Sequence, residues 1–207
     1  MRLYLILIFL NIGIEFFMKG ASLTITLLAI SAISFAQGVF SNKTNAALEK
    51  VIQDYPNRFN NIKGTVLIEN PQSTEYNSTV QIPGSNSCIV TRYNSPKNDA
   101  YSWSCVAFEN EDFEQVKSKF KELFGQIKNS IIKIGGGKPF ILTGTYVDPD
   151  EAKKFTTILF ELLPSAGDVK NLKVDLSIQY VITGWKISLS VYDRELKEGE
   201  RNEMTSN

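Results

Sequence analysis

Between residues 172 and 191 apolar and polar side chains alternate with hardly a break, and no other feature limits the fold so tightly. Leu172, Val174, Leu176, Ile178, Tyr180 and Ile182 take every second position, the period of a strand with one buried face. After Thr183-Gly184 the alternation resumes at Trp185, Ile187, Leu189 and Val191. Two residues including a glycine, set between two such runs, specify a tight β-hairpin. The register read from this spacing sets Ile182 opposite Trp185, Tyr180 opposite Ile187, Ile178 opposite Leu189 and Leu176 opposite Val191. All of them then share one face, which is the core face.

A second hairpin is legible upstream, where the β-rich runs 87–94 and 99–108 flank Ser95-Pro96-Lys97-Asn98. Proline in the second place suits a type I turn, a common base for four-residue loops. Setting Asn94 against Asp99 brings Val90 opposite Trp103 and Cys88 opposite Cys105. Directly opposed residues have Cα atoms roughly 4.5 to 5.5 Å apart, within reach of a disulfide. A Cys88–Cys105 bond is therefore expected.

The two hairpins look like copies. Trp103 takes the place of Trp185 near the start of a last strand. Further back, Gly64-Thr65 and Gly144-Thr145 lie at one common offset, which also sets Val80 and Ile82 on Phe160 and Leu162, ahead of Pro83 and Pro164. This decides how to read 155–163, which fits a helix through Phe155, Ile158, Leu159 and Leu162, or a strand through Ile158, Phe160 and Leu162. Its counterpart, 76–82, has no helical spacing, and Thr156-Thr157-Ile158 favours extended backbone, so a strand is predicted. A further strand is expected over 140–147.

Each set of strands follows a helix. Leu48, Val51, Ile52 and Tyr55 mark one over 44–55, ended by Pro56. Phe113, Val116, Phe120, Leu123, Phe124, Ile127 and Ile131 mark another over 111–131. Asn110 is the expected N-cap of the second, with Glu111, Asp112 and Glu114 at the positive end of its dipole. The reading is an α+β protein of two tandem α-ββββ units with antiparallel sheets, arisen by internal duplication. Residues 37–132 form the first unit plus the helix leading into the second. Residues 133–196 hold the second four-stranded unit, and the polar tail 197–207 is expected to be disordered. This plan resembles that of the bacterial β-lactamase inhibitor proteins, although no inhibitory residue of theirs finds a counterpart here.

The first 36 residues read as a signal peptide. Apolar runs cover 3–17 and 23–35, both shorter than the roughly 20 residues a membrane-crossing helix needs. The second run has the parts of an export signal: Met18-Lys19, an apolar stretch, then the small residues of Ser34-Phe35-Ala36, with Gln37 as the expected mature N-terminus. Met18 is then an alternative start, and an uncleaved anchor is the alternative to cleavage. The mature protein is expected to be exported, periplasmic or secreted, with no stable membrane span. The 22 basic and 22 acidic residues balance. Losing Arg2, Lys19 and Glu15 with the signal leaves one acidic residue in excess, so nothing points to nucleic-acid binding, which needs a basic face.

Candidates for chemistry are few. The chain has no histidine and two cysteines, which excludes Ser-His-Asp and Cys-His catalysis, His-containing zinc sites and four-thiolate centres. Gly135-Gly136-Gly137-Lys138 lacks the glycine spacing, the following Ser or Thr and the following helix of a phosphate loop. It reads as a linker between the units. Glu109, Glu111 and Asp112 form one acidic cluster, and Asp148, Asp150 and Glu151 another. Paired carboxylates serve hydrolysis or calcium binding, but a helix start and a turn explain these two. Trp103, Trp185, Tyr101 and Tyr180 alternate as core aromatics before they suggest a ligand pocket. The sequence thus predicts a soluble, non-catalytic exported protein without cofactor or metal, which binds a protein, a glycan or an envelope component. The alternatives are a carboxylate-dependent hydrolase and a structural envelope protein.

Overall fold

In the computed structural model, which describes residues 42–96 and 99–193, both hairpins belong to a single sheet. Its strands are β1 (Lys63–Glu69), β2 (Ser73–Ser78), β3 (Ser87–Tyr93), β4 (Ala100–Asn110), β5 (Ile131–Ile132), β6 (Phe140–Thr143), β7 (Phe155–Leu163), β8 (Leu172–Val181) and β9 (Gly184–Asp193). They lie in the order β1-β2-β3-β4-β9-β8-β7-β6-β5, and every neighbouring pair is antiparallel. With the helices α1 (Lys43–Asp54) and α2 (Phe113–Ile127) this is an α+β fold. The tandem α-ββββ plan implies two four-stranded sheets. Instead β4 pairs with β9 from Ser102↔Tyr192 to Asn110↔Trp185, so the strands share one nine-stranded sheet. The expected signal at 1–36 and tail at 197–207 fall outside the described residues, among which no helix is long and apolar enough to cross a membrane.

Segment 155–163 is the strand β7, buried at Thr156, Ile158, Phe160 and Leu162 and open at the residues between, the alternation of a half-buried strand. The first hairpin keeps its predicted register, Cys88↔Cys105 and Val90↔Trp103. The second does not. Tyr180 pairs with Trp185, Ile178 with Ile187, Leu176 with Leu189 and Val174 with Val191, so the loop is Ile182-Thr183 and Gly184 already belongs to β9. Gly184 has φ 121°, and a Cβ there would lie 2.9 Å from both the Asn110 carbonyl oxygen and Glu111 Cα. The glycine serves the close approach of β9 to the end of β4, not the turn. Because the shift moves each partner by two residues, every side chain keeps its face. Tyr180 is nevertheless half exposed and Ile182 fully so, since both sit at the hairpin tip.

Both helices cover one face of the sheet. Phe113 packs on Trp185 with centroids 4.7 Å apart, and Phe124 on Phe160 at 5.6 Å. Leu48, Val51 and Ile52 of α1 complete this core. Helix α2 is shorter than its apolar stripe. Asp112, not Asn110, is the N-cap, accepting from the Glu114 and Gln115 amides, while Asn110 Oδ1 accepts from the Asp112 amide one step earlier. At the other end Asn129 takes φ 64° and its amide donates to Leu142 O. The chain turns there into β5, so Ile131 leaves the helical stripe and pairs with Ile141. Strand β6 stops at Thr143, short of the expected 147, as the chain runs on along α2 with Tyr146 against Phe120 and Phe124. Strand β2 likewise ends at Ser78, so Val80 and Ile82 lie beyond it rather than inside a strand.

Candidate functional site

Of the expected site residues, Cys88 and Cys105 meet. They form a disulfide between directly paired strand residues, with Cα atoms 4.0 Å apart, and both are buried. The bond closes the β3–β4 hairpin from within the core face, beside Val90 and Trp103. Trp103 Nε1 donates to Ser78 Oγ on β2 at 3.0 Å, which satisfies the one polar atom of that buried ring.

Four of the six candidate acidic residues, Glu109, Asp112, Asp148 and Asp150, take structural roles. Asp112 caps α2, and the donated hydrogen bonds, that of the Gln115 side chain foremost, hold its carboxyl below the usual aspartate range. Glu109 accepts from Asn86 Nδ2 at 2.7 Å. Asp148 takes a 2.7 Å bond from Lys117 Nζ on α2, which holds its carboxyl low and the Lys117 ammonium high. The Tyr146 hydroxyl also bonds Asp148 and is pushed up, mainly by burial. Asp150 caps a short 3-10 turn through the Ala152 amide. Among the described residues no three His, Cys, Asp or Glu side chains stand close enough to hold a metal ion. Gly135 and Gly136 have positive φ, and the Gly137 amide bonds Ile134 O, so the glycine run makes the turn between β5 and β6.

The face of the sheet turned away from α1 and α2 takes no part in these roles, and its centre is buried at Thr91, Lys173, Asp175 and Tyr192. Among the described residues no helix lies on it. Its middle is hydroxylic: Ser102 and Ser104 of β4, Ser188 and Ser190 of β9 and Ser177 of β8 face away from the core. Two charges are sunk among them. Lys173 pairs with Glu161, and Asp175 accepts from Thr157 Oγ1 at 2.9 Å. Toward β5 the surface turns apolar. Ile131, Ile141 and Leu163 stand side by side across three strands, with Leu159 and Phe155 further along β7. All five are exposed, by 43 to 61 %.

Sequence reasoning missed this surface. The apolar periodicity places Ile131 on the helix stripe and Leu159 only in the helical alternative for 155–163, and it singles out neither Ile141 nor Leu163. The signal was present in β7, whose apolar residues occur on both faces rather than one. An antiparallel strand with one dry face commonly leaves the other polar, and Phe155, Leu159 and Leu163 depart from that pattern. No protein-family model, curated protein or solved structure matches this chain.

Proposed function

We propose that this is a non-catalytic binding protein that works after export and takes up a protein partner on the face of its sheet opposite α1 and α2. The apolar strip of Ile131, Ile141, Phe155, Leu159 and Leu163 carries this reading. Large apolar side chains grouped on a soluble surface mark interaction sites, and an apolar patch beside polar, hydroxyl-bearing ground has the make-up of a protein interface. Binding a protein rather than a glycan follows from the aliphatic character of the strip, since four of its five members are Ile or Leu. The buried Cys88–Cys105 disulfide fits an oxidising compartment, and the use of the carboxylates as caps and tethers favours binding over hydrolysis.

We also read the sheet as the product of a duplication. Helix α1 precedes β1 to β4, and α2 precedes β5 to β9, of which the short β5 has no counterpart in the first set. The two sets run outward from the central β4–β9 pair. Gly64 lies against Asn77 of the next strand and Gly144 against Phe160 of the next strand, each where a Cβ would come within 3 Å.

The test is the double substitution Ile141→Glu with Leu159→Glu in the full chain, expressed in the native cells and recovered after mild crosslinking. Both positions are exposed, so the fold is expected to survive, as circular dichroism will check. The reading expects a protein recovered with the wild type and lost from the variant. Equal recovery of the same proteins by both would refute it.

A further inference from the structure

Among the described residues one sheet edge is covered and the other is not. At the β5 edge the strand is two residues long, and Gln53 Nε2 of α1 donates to Lys133 O beside it. Short edge strands and covering helices are how proteins blunt a free edge. Strand β1 lies at the opposite edge and, among the described residues, pairs only with β2. It is seven residues long, and Val66, Leu67 and Ile68 in its middle are 53, 53 and 50 % exposed. Three consecutive exposed apolar residues in an edge strand form a template for another strand.

The sequence of β1, Lys-Gly-Thr-Val-Leu-Ile-Glu, is complementary to itself. Reversed against a second copy about Val66, it sets Lys63 opposite Glu69, Gly64 opposite Ile68, Thr65 opposite Leu67 and Val66 opposite Val66. The two charges fall at the ends and attract, and the centre is apolar. Faces agree as well. Lys63, Val66 and Glu69 pair with Ser78, Tyr76 and Thr74, which alternate on the helix-bearing face, and Lys63 Nζ lies 4.8 Å from the Tyr76 ring centroid. Two bulges in β1, between Lys63 and Val66 and between Val66 and Ile68, bring Val66 onto that face with the charges. Bulges also add twist to a strand. A second copy carries the same bulges and twist, whereas a flat foreign strand does not.

We propose that β1 is a self-association edge, through which two copies pair antiparallel about a two-fold axis at Val66 and join their sheets into one. Such an isologous contact closes on itself, so it yields a dimer and no fibre. It uses the edge of the sheet and does not depend on what the face opposite α1 and α2 binds.

The experiment is a concentration series of the purified protein by sedimentation, at low and at moderate salt, for the wild type, Lys63→Glu, Glu69→Lys and the double charge swap. The wild type is expected to dimerise, more tightly at low salt. By symmetry each single swap turns both attractive end pairs into repulsive ones, weakening the dimer by roughly tenfold or more. The double swap restores attraction and the dimer with it. Hydrogen exchange on the wild type gives a second readout, because amides of 65–68 should gain protection as concentration rises. A monomer at every concentration overturns the proposal. So does a dimer indifferent to the single swaps, or one the double swap fails to restore.

Discussion

Replacing Trp185 by alanine tests the packing that joins helix to sheet. Trp185 begins the buried row of β9, is 4 % exposed, and touches Phe113 of α2 at 4.7 Å and Tyr180 of β8 at 5.3 Å between ring centroids. A buried aromatic removes about 150 to 250 Å² from water. At about 25 cal/mol per Å² that is worth roughly 4 to 6 kcal/mol, part of which alanine retains. The cavity left beside Phe113 adds a cost to the extent that its neighbours do not collapse into it. The expected loss is about 3 to 5 kcal/mol, the range found for aromatic-to-alanine changes in cores. Lys186, the next residue, faces the other side of the sheet between Glu109 and Gln179, and Lys186→Ala should cost less than about 0.5 kcal/mol. Denaturant titrations of both variants, with unchanged slopes, give the comparison directly. Equal losses would mean that β9 presents its faces the other way round, and the account of the core would fail with it.

Three further outcomes follow from the same structure. Replacing Cys88 and Cys105 by alanine should lower stability by about 3 kcal/mol in the chain-entropy view, read as a shift in denaturant midpoint that reductant reproduces in the wild type; a midpoint indifferent to reductant would contradict it. Asp54 is buried and accepts from the Asn61 and Ile62 amides and from the Asn57 and Asn61 side chains, so Asp54→Ala should cost about 2 to 3 kcal/mol by stranding those donors, and an unchanged thermal midpoint would show the loop at 55–62 to be held by something else. The lowered carboxyls of Asp112 and Asp148 contribute stability that is present above their unfolded values and lost as pH falls through their folded ones. The raised Lys117 ammonium contributes stability lost only as pH rises through its folded value. Acid titration of Asp148→Asn should therefore show a shallower loss below the usual aspartate range than the wild type, and identical curves would remove the tether from the account.

Legibility in the sequence followed the range of the interactions. The β3–β4 register was readable because a four-residue loop and two cysteines fix it from both ends. The β8–β9 register was not, because Gly184 answers to the backbone of Asn110 and Glu111, far away in the chain, and a local pattern carries no trace of that contact. Parity survived the error, so the core list at Ile187, Leu189 and Val191 stood. Helix α2 showed its stripe but not its end, since the turn at Asn129 depends on the hydrogen bonds of Asn129 and Ser130 to β6. The joining of both strand sets through β4 and β9 depends on contacts between distant segments, and alternation alone does not reveal strand neighbours. The exposed strip was hidden for the same reason: Ile131, Ile141 and Leu163 become a surface only once three strands lie side by side.

The most direct test of binding at the face opposite α1 and α2 is site-specific photo-crosslinking of the full chain in its native cells. A photoreactive residue at position 159 on that side of β7 is compared with one at position 121, exposed on α2. The account predicts a discrete adduct with another protein from position 159 and none of that mass from position 121. Adducts of the same mass from position 121 alone, or equally from both, would contradict it.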